Sequence, residues 1–516
     1  MKIKFLLPLF ILLNWFLILK ADVKLPALFT DNMVLQQGIE CSIWGWAEPG
    51  EGVTVQVHKI THNTKADAKG KWQISLQKLM ASSKPFSIKV KGNNTLTIKN
   101  VLVGEVWLCS GQSNMQWSVN ASNDPDLEKL TAHYPDIRFI TVPRIGTQEP
   151  QEDFNGLWEQ CTPETVAEFS AVGYYFGRQL HQTLQIPIGL IDNSWGGSAC
   201  EAWIRRDLLD KEPSAKPYMD LWKNTEASYD HEKALETYEK QLTVWQTKLE
   251  NAQKNKRPLP SKPRAPRNPL DGQHRPANLY NGVLKPILGY GIKGAIWYQG
   301  ESNAGRAKAY RDVFPLMIKS WREEWGLGDF PFYWVQLADF RDESASPQDS
   351  SWAELREAQS LTLQLPNTGQ AVITDLGEAH DIHPKDKQNV AKRLARWALA
   401  KDYGYDIVYR SPQYKAMQRN GSKLILHFEY VGGGLDTFDI RTPQGFTIAG
   451  NDKVFHPSNA KILDKERIEI WAENVPNPTA ARYAWADNPV ANVQNREGLP
   501  LTPFRTDEFP MVTDGK

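Results

Sequence analysis

The sequence is short of the features that mark several protein classes. Its 516 residues carry 60 basic and 60 acidic side chains, so neither sign is in excess. Nucleic-acid-binding domains usually show a basic excess, and a polyanion partner is not expected. Cysteine is scarce: Cys41, Cys109, Cys161 and Cys200 are irregularly spaced and match no zinc knuckle. An even count permits disulfides in an exported protein, although Cys109 lies in an apolar run and reads as a core residue. Histidine is scarce too, with 10 residues, and none forms the helical His-Glu-x-x-His pair of a metallohydrolase. Beyond the N-terminus no segment is long and apolar enough to span a membrane.

What is present begins with a leader. Lys2 and Lys4 precede an apolar stretch from Phe5 to Leu19, and Ala21 follows. This charged, apolar, small-residue order predicts a secretory signal peptide over residues 1–22, with an uncleaved anchor as the alternative. The first cysteine is Cys41, far from the cut, so lipid attachment is not expected. The mature protein is expected to be periplasmic or secreted. The 19 tryptophans and the 11 % aromatic content fit sugar-stacking platforms and a β-rich core equally well.

The chain is too long for one core, and about two to four domains are expected. Residues 23–103 hold short β-type runs, such as Cys41–Trp46, Val53–Val57 and Trp72–Leu76, split by turn chemistry such as Glu48-Pro49-Gly50. They predict a β-sandwich. Over 104–404 apolar runs alternate with helical periodicity. Strands are expected at Val106–Cys109, Ile186–Asp192, Gly294–Tyr298, Phe332–Leu337 and Ala371–Asp375, with helices at Ala171–Leu184 and Trp352–Leu365. That alternation implies a parallel sheet covered on both faces, with ligands beyond the C-terminal strand ends. Residues 208–275 read as an insertion. Leu235, Tyr238, Leu242, Trp245 and Leu249 form one helical stripe, and a Pro-rich segment follows. It would lie on its own domain, cover the site or meet a partner. A second β-rich domain is expected over 405–516.

Ser113, in Gly111-Gln112-Ser113-Asn114-Met115, falls just past an expected strand where a helix begins. An acyl-transfer nucleophile needs that position, because free helix N–H groups face the charge that develops beside it; a cap serine needs it as well. The best-placed base is His383, before Pro384 and an apolar helix face of Val390, Leu394 and Trp397. A helix opening at Pro384 would put its dipole against imidazolium and keep His383 neutral. Asp381 would steady the imidazolium; His380 is the rival base. Asn193-Ser194-Trp195-Gly196-Gly197-Ser198 has paired glycines that let backbone approach a ligand, with a helix expected from Ser198. In Trp297-Tyr298-Gln299-Gly300-Glu301-Ser302-Asn303, Gln299 is a candidate amide donor, and Glu301 and Asn303 are candidate hydroxyl-binding residues. Gly300-Glu301-Ser302-Asn303-Ala304 also approximates a Gly-x-Ser-x-Gly elbow, which makes Ser302 the rival nucleophile.

These four segments, in this order, resemble the sialate O-acetylesterases of the broad SGNH (GDSL-like) hydrolase superfamily, over about residues 23–510. The resemblance implies an α/β protein with a three-layer α/β/α SGNH-hydrolase-like domain and flanking β-sandwich-type domains. It implies a serine esterase that removes O-acetyl groups from sialic acids through an acyl-enzyme, with no metal and no cofactor. Carried over, Ser113 is the nucleophile, His383 the base, and the Ser113 N–H, Gly197 (or Gly196) and Gln299 the oxyanion hole. Two departures stand out. Gln112 occupies a position that is usually Asp, and His380 stands three residues before His383 where the acid is usual. Asp381, two residues before, is either the acid, or the site is a Ser–His dyad. Acetylxylan or another acetylated polysaccharide is the alternative substrate, and Arg356 is a candidate reader of a sialate carboxylate unless it lies on a solvated helix face. Two other classes stay open: a non-catalytic carbohydrate-binding protein, and a metal hydrolase using His380, Asp381 and His383. Oligomeric state is left open.

Overall fold

The computed structural model describes residues 22–516, so the expected signal peptide lies outside the described residues. A continuous apolar strand belongs in the middle of a covered parallel sheet, and the Val106–Cys109 run lies there. It is part of β1 (Thr95–Gly111). The other strands of the central sheet are β2 (Tyr134–Thr141), β3 (Glu159–Cys161), β4 (Ile188–Asp192), β5 (Gly294–Tyr298), β6 (Phe332–Val335) and β7 (Thr368–Ala371), in the spatial order β7-β6-β5-β1-β4-β2-β3. Every pairing along that path is parallel except β2 with β3.

Side chains alternate across β1. Val106 and Leu108 enter one core layer, with Tyr310 and Phe314 of a helix over Ala307–Trp325 and Leu355 of a helix over Ser351–Leu361. Trp107 and Cys109 enter the other, with Tyr174 and Phe176 of a helix over Ala171–Leu184 and Val390 and Leu394 of a helix over Lys387–Lys401. This is the expected three-layer α/β/α arrangement. After β4 the chain crosses to the far side of β1 to form β5, so the order reverses beside β1. In open α/β sheets such a switch point is where ligands bind.

The boundary expected at 103/104 falls inside β1 itself. Its first part pairs antiparallel with Ser82–Lys91 and its middle pairs with Val34–Gln36. From Glu105 onward it pairs with β4. The N-terminal β unit and the α/β unit thus share one strand. Gly104 sits at the change of partner, where an added Cβ would lie 1.9 Å from the Pro187 carbonyl oxygen, so no larger residue fits. At the other end, Gln413–Asn420, Lys423–Glu429, Arg467–Trp471 and Asn459–Ile462 form one antiparallel sheet, and Phe446–Ala449 and Ala480–Tyr483 belong to a second. Leu426, Ile448, Ile468 and Tyr483 share a core cluster there.

Several expected elements shift. The strand expected at Ala371–Asp375 is β7, which starts three and ends four residues earlier, in register with β6, whose own end at Val335 limits the pairing. The helix expected to run to Leu365 tightens into a 3-10 turn at Thr362–Gln364, just before Pro366. The helix expected from Pro384 begins at Lys387, because Asp386 caps it by accepting the Asn389 N–H at 2.9 Å. Within the 208–275 insertion, the helix over His231–Lys254 sets Trp245 of the expected stripe against the Pro-rich return, its Nε1 donating to Pro260 O at 2.9 Å, while Leu235 near the helix start is exposed. The preceding helix, Lys216–Ser228, rests on the α/β unit, with Tyr218 and Trp222 clustered against Ala199. All four cysteines are buried and free.

Candidate active site

Strand register brings the predicted segments together. Cys109 of β1 is opposite Asp192 of β4, and Gly111 is opposite Tyr298 of β5. The residues that follow each strand therefore meet around the end of β1. An added Cβ at Gly111 would lie 2.2 Å from the Tyr298 carbonyl oxygen, and its φ is +134°. Only glycine allows that approach. Gln112 N–H donates to the same carbonyl at 2.9 Å, and a one-turn helix, α1 (Ser113–Gln116), follows. Gln112 is its N-cap residue, so Ser113 is the first helical residue and not the cap. Ser113 is half-buried, and neither its hydroxyl nor its N–H has a partner among the described residues.

The glycine pair lies flush against it. Trp195 N–H donates to Gly111 O at 3.0 Å, and Ser198 N–H closes a turn on Trp195 O at 3.2 Å. A Cβ on Gly196 would be 3.4 Å from Ser113 Cβ. The Gly196 N–H is committed to Gln116 Oε1 at 2.7 Å. Gly197, at φ +72°, has an N–H without a partner among the described residues. The helix expected at Ser198 is a 3-10 turn over Cys200–Trp203. Ser302, the rival nucleophile, donates its hydroxyl to Gly197 O at 2.8 Å and braces the turn.

Three expected site residues turn inward. Gln299 is fully buried; its Nε2 donates to Ser198 O at 3.0 Å and to Asn303 Oδ1 at 2.7 Å, and its Oε1 accepts from Tyr310 at 2.9 Å. Both amide hydrogens are used, so Gln299 supports the glycine turn from behind and has none left for an oxyanion. Asn303 accepts from Cys200 N–H and donates to Glu201, at 2.9 Å each, and does not reach a hydroxyl site. Glu301 accepts from Asn114 Nδ2 at 2.6 Å, and its other oxygen is buried. Burial pushes its pKa up. Arg356 also departs from both sequence readings. It is fully buried and donates to the carbonyls of Leu337, Ala338, Ala486 and Asp487.

His383 is half-buried and stacks on Trp117 at 4.3 Å with an 11° interplanar angle. Its Nδ1 is 3.4 Å from Asp381 Oδ1, which also accepts the His383 N–H at 2.9 Å. Burial, and then the Lys387 cation, hold the imidazole below its usual pKa, against the pull of Asp381. The helix begins beyond His383, so burial and Lys387 account for the depression that was expected from a dipole. His380, the rival base, is 86 % exposed and faces Asp342 at 3.9 Å. Among the described residues no three His, Cys, Asp or Glu side chains gather as metal ligands.

Sequence reasoning missed Trp117, Asn114 and Lys387. Each carried a weak signal: an aromatic one helical turn after Ser113, an amide beside it, and a lysine four residues after His383.

A family model described as "Carbohydrate esterase, sialic acid-specific acetylesterase" matches residues 274–400, a stretch that includes His383 but not Ser113. The sialate O-acetylesterase of Mus musculus is 31 % identical over 459 residues, covering 78 % of this chain and 78 % of the relative. That of Homo sapiens is 30 % identical over 452 residues, covering 79 % and 76 %. The crystal structure of a carbohydrate acetylesterase from Xanthomonas citri superposes with a TM-score of 0.79 at 36 % identity, covering 95 % of this chain and 100 % of that one.

Proposed function

This chain belongs to the sialate O-acetylesterase family of carboxylic ester hydrolases, and from that premise we propose that it removes O-acetyl groups from sialic acids by an acyl-enzyme route centred on Ser113. The observation that carries the proposal is the convergence at the end of β1. A hydroxyl with no partner stands against a glycine turn, and one helical turn away Trp117 holds the plane of a half-buried imidazole. In the first step Ser113 Oγ attacks the acetyl carbonyl carbon while His383 takes the hydroxyl proton. The carbonyl oxygen becomes an oxyanion beside the Ser113 and Gly197 N–H groups, two donors already fixed in place. The tetrahedral species collapses, the C–O bond to the sugar breaks, and the sugar oxygen leaves with the proton from His383. Water, deprotonated by the same histidine, then attacks the acetyl-enzyme; the bond from the acyl carbon to Ser113 Oγ breaks, acetate leaves and His383 returns the proton to Ser113 Oγ. Asp381, at 3.4 Å in the free site, orients His383 and stabilises its cation. The charged, apolar, small-residue order at the N-terminus supports export, so substrate would be met outside the cytoplasm.

The test compares acetate release from O-acetylated sialic acids and acetylated xylan oligomers, with Ser113→Ala as control. The expected result is sialate turnover that Ser113→Ala abolishes without lowering the melting temperature. Undiminished turnover in that variant overturns the assignment, and a preference for xylan overturns the substrate.

A further inference from the structure

We propose that Asn114, Lys387 and Glu301 form a buried polar clamp that fixes the nucleophile segment against the base segment, which makes all three positioning residues for the reaction. The inference rests on the reading of Ser113 and His383 just given. Asn114 immediately follows Ser113 and is 1 % exposed. One Nδ2 hydrogen goes to the carbonyl of Ile382, the peptide before His383, at 3.0 Å. The other goes to Glu301 Oε1 at 2.6 Å. The Asn114 Oδ1 accepts from Lys387 Nζ at 2.6 Å. One side chain therefore ties the loops that follow β1, β5 and β7 and leaves no donor over. Asn114 and Lys387 are themselves buried, where an unmade hydrogen bond is costly.

Lys387 has little reason to be there except this contact. It is fully buried at the first position of its helix, where the dipole disfavours a cation. Asn114 Oδ1 and the Tyr298 ring, 5.2 Å from Nζ, are its near partners, and Glu301, Asp381, Glu378 and Asp386 supply the surrounding negative charge. Burial brings its pKa down to about 7. The charged groups acting on His383 are Lys387, which opposes imidazolium, and Asp381, which favours it; Trp117, stacked on the ring, is neutral. The clamp thus sets both where the base stands and how readily it accepts a proton. An aspartate in place of Asn114 keeps the shape but sets an acceptor against the Ile382 carbonyl and the Glu301 carboxylate.

The experiment uses Asn114→Asp and Lys387→Met in the full chain, with 4-nitrophenyl acetate as substrate and Ser113→Ala as reference. Asn114 and Lys387 are buried away from solvent, so KM should hold within about twofold while kcat falls in Asn114→Asp by about 10²-fold, the usual effect of a small misplacement. In Lys387→Met the acid limb of kcat should move up by roughly one pH unit, because a cation near His383 is gone. If Lys387→Met fails to fold, Asn114→Asp alone carries the test. A wild-type kcat in Asn114→Asp, or an unmoved acid limb in a folded Lys387→Met, overturns the clamp. Retained activity in Ser113→Ala overturns instead the reading on which it rests.

Discussion

Arg356→Met separates a structural arginine from a substrate-reading one. The guanidinium is fully buried. Its Nε donates to Leu337 O at 2.9 Å, Nη1 to Ala486 O at 2.7 Å, and Nη2 to Ala338 O at 2.7 Å and Asp487 O at 3.0 Å. It therefore joins the loop after β6 to the loop at 486–487 that leaves the C-terminal β unit. Methionine fills much of the same length but donates nothing. Ala338 O would keep the Trp352 indole N–H, and Asp487 O would keep the Phe340 N–H. Leu337 O and Ala486 O would be left unpaired. A buried acceptor without a partner costs about 1–3 kcal/mol, so the pair costs about 2–6 kcal/mol. Part of this is returned, because burial of the cation is itself unfavourable and lowers its pKa to about 10. A net loss of about 2–4 kcal/mol follows. At roughly 2–4 °C per kcal/mol for a large domain, melting should fall by about 4–16 °C. Scanning calorimetry measures this, and KM for an O-acetylated sialic acid, measured well below the transition, should not change. An unshifted melting temperature with a raised KM would refute the reasoning and return Arg356 to the substrate.

Two further substitutions probe the reacting groups. Gly197→Ala places a Cβ in the left-handed region, at a cost of about 1–2 kcal/mol, and 3.3 Å from the flexible end of Gln273. The turn should shift to relieve this, and kcat should drop by about 10²-fold, as for a lost oxyanion donor; unchanged single-turnover acetylation would argue that the Gly197 N–H is not one. His383 must be neutral to accept a proton, so activity falls as pH drops through its pKa, and the downward shift places wild-type half-maximal kcat below about 6.5. Asp381→Asn removes a charge 3.4 Å from Nδ1. Even at the permittivity of water that charge is worth about 1 kcal/mol, so kcat should fall at least about fivefold while the acid limb moves lower still. A limb that moves upward would contradict the assigned role of Asp381.

The parts of the site legible in the sequence share one physical origin. A buried parallel strand must be continuously apolar and must end in residues that release the chain, so Val106–Cys109, Ile186–Asp192 (observed from Ile188) and Gly294–Tyr298 each announced both themselves and the loop that follows. The Gly196–Gly197 pair was legible as a turn, and Gly197 is required there by its φ of +72°, while the close backbone approach is at Gly111, whose added Cβ would meet the Tyr298 carbonyl. Helix starts were less so. Pro384 is compatible with a first turn, but Asp386 with its side chain on the Asn389 N–H is a stronger signal, and the helix obeys the cap. The β1 boundary was illegible for a different reason. A change of composition near residue 103 reports new neighbours, and a strand can change neighbours without ending.

Besides Arg356, the residues whose side chains face away from their expected role are Gln299, Glu301 and Asn303, and they do so as a group. Each has the chemistry an active site needs, and each follows a strand at the correct end of the sheet. What the pattern of residue types does not encode is the direction a loop side chain faces, and the loop after β5 has two polar environments to choose between. One is the substrate side. The other is the gap beneath the loops after β1 and β4, where the Ser198 carbonyl, the Cys200 N–H and the Asn114 amide all require partners. Buried backbone groups that lack partners are costly, so loops packed this closely must find side chains to satisfy them. Gln299, Asn303 and Glu301 meet that need, so in the proposed mechanism the oxyanion is left to backbone N–H groups. In the loop after β5 these polar residues serve as internal scaffold. Counting the donors and acceptors each side chain has left, after its internal bonds, is what distinguishes Ser113, with its hydroxyl free, from Ser302, whose hydroxyl is already given to Gly197.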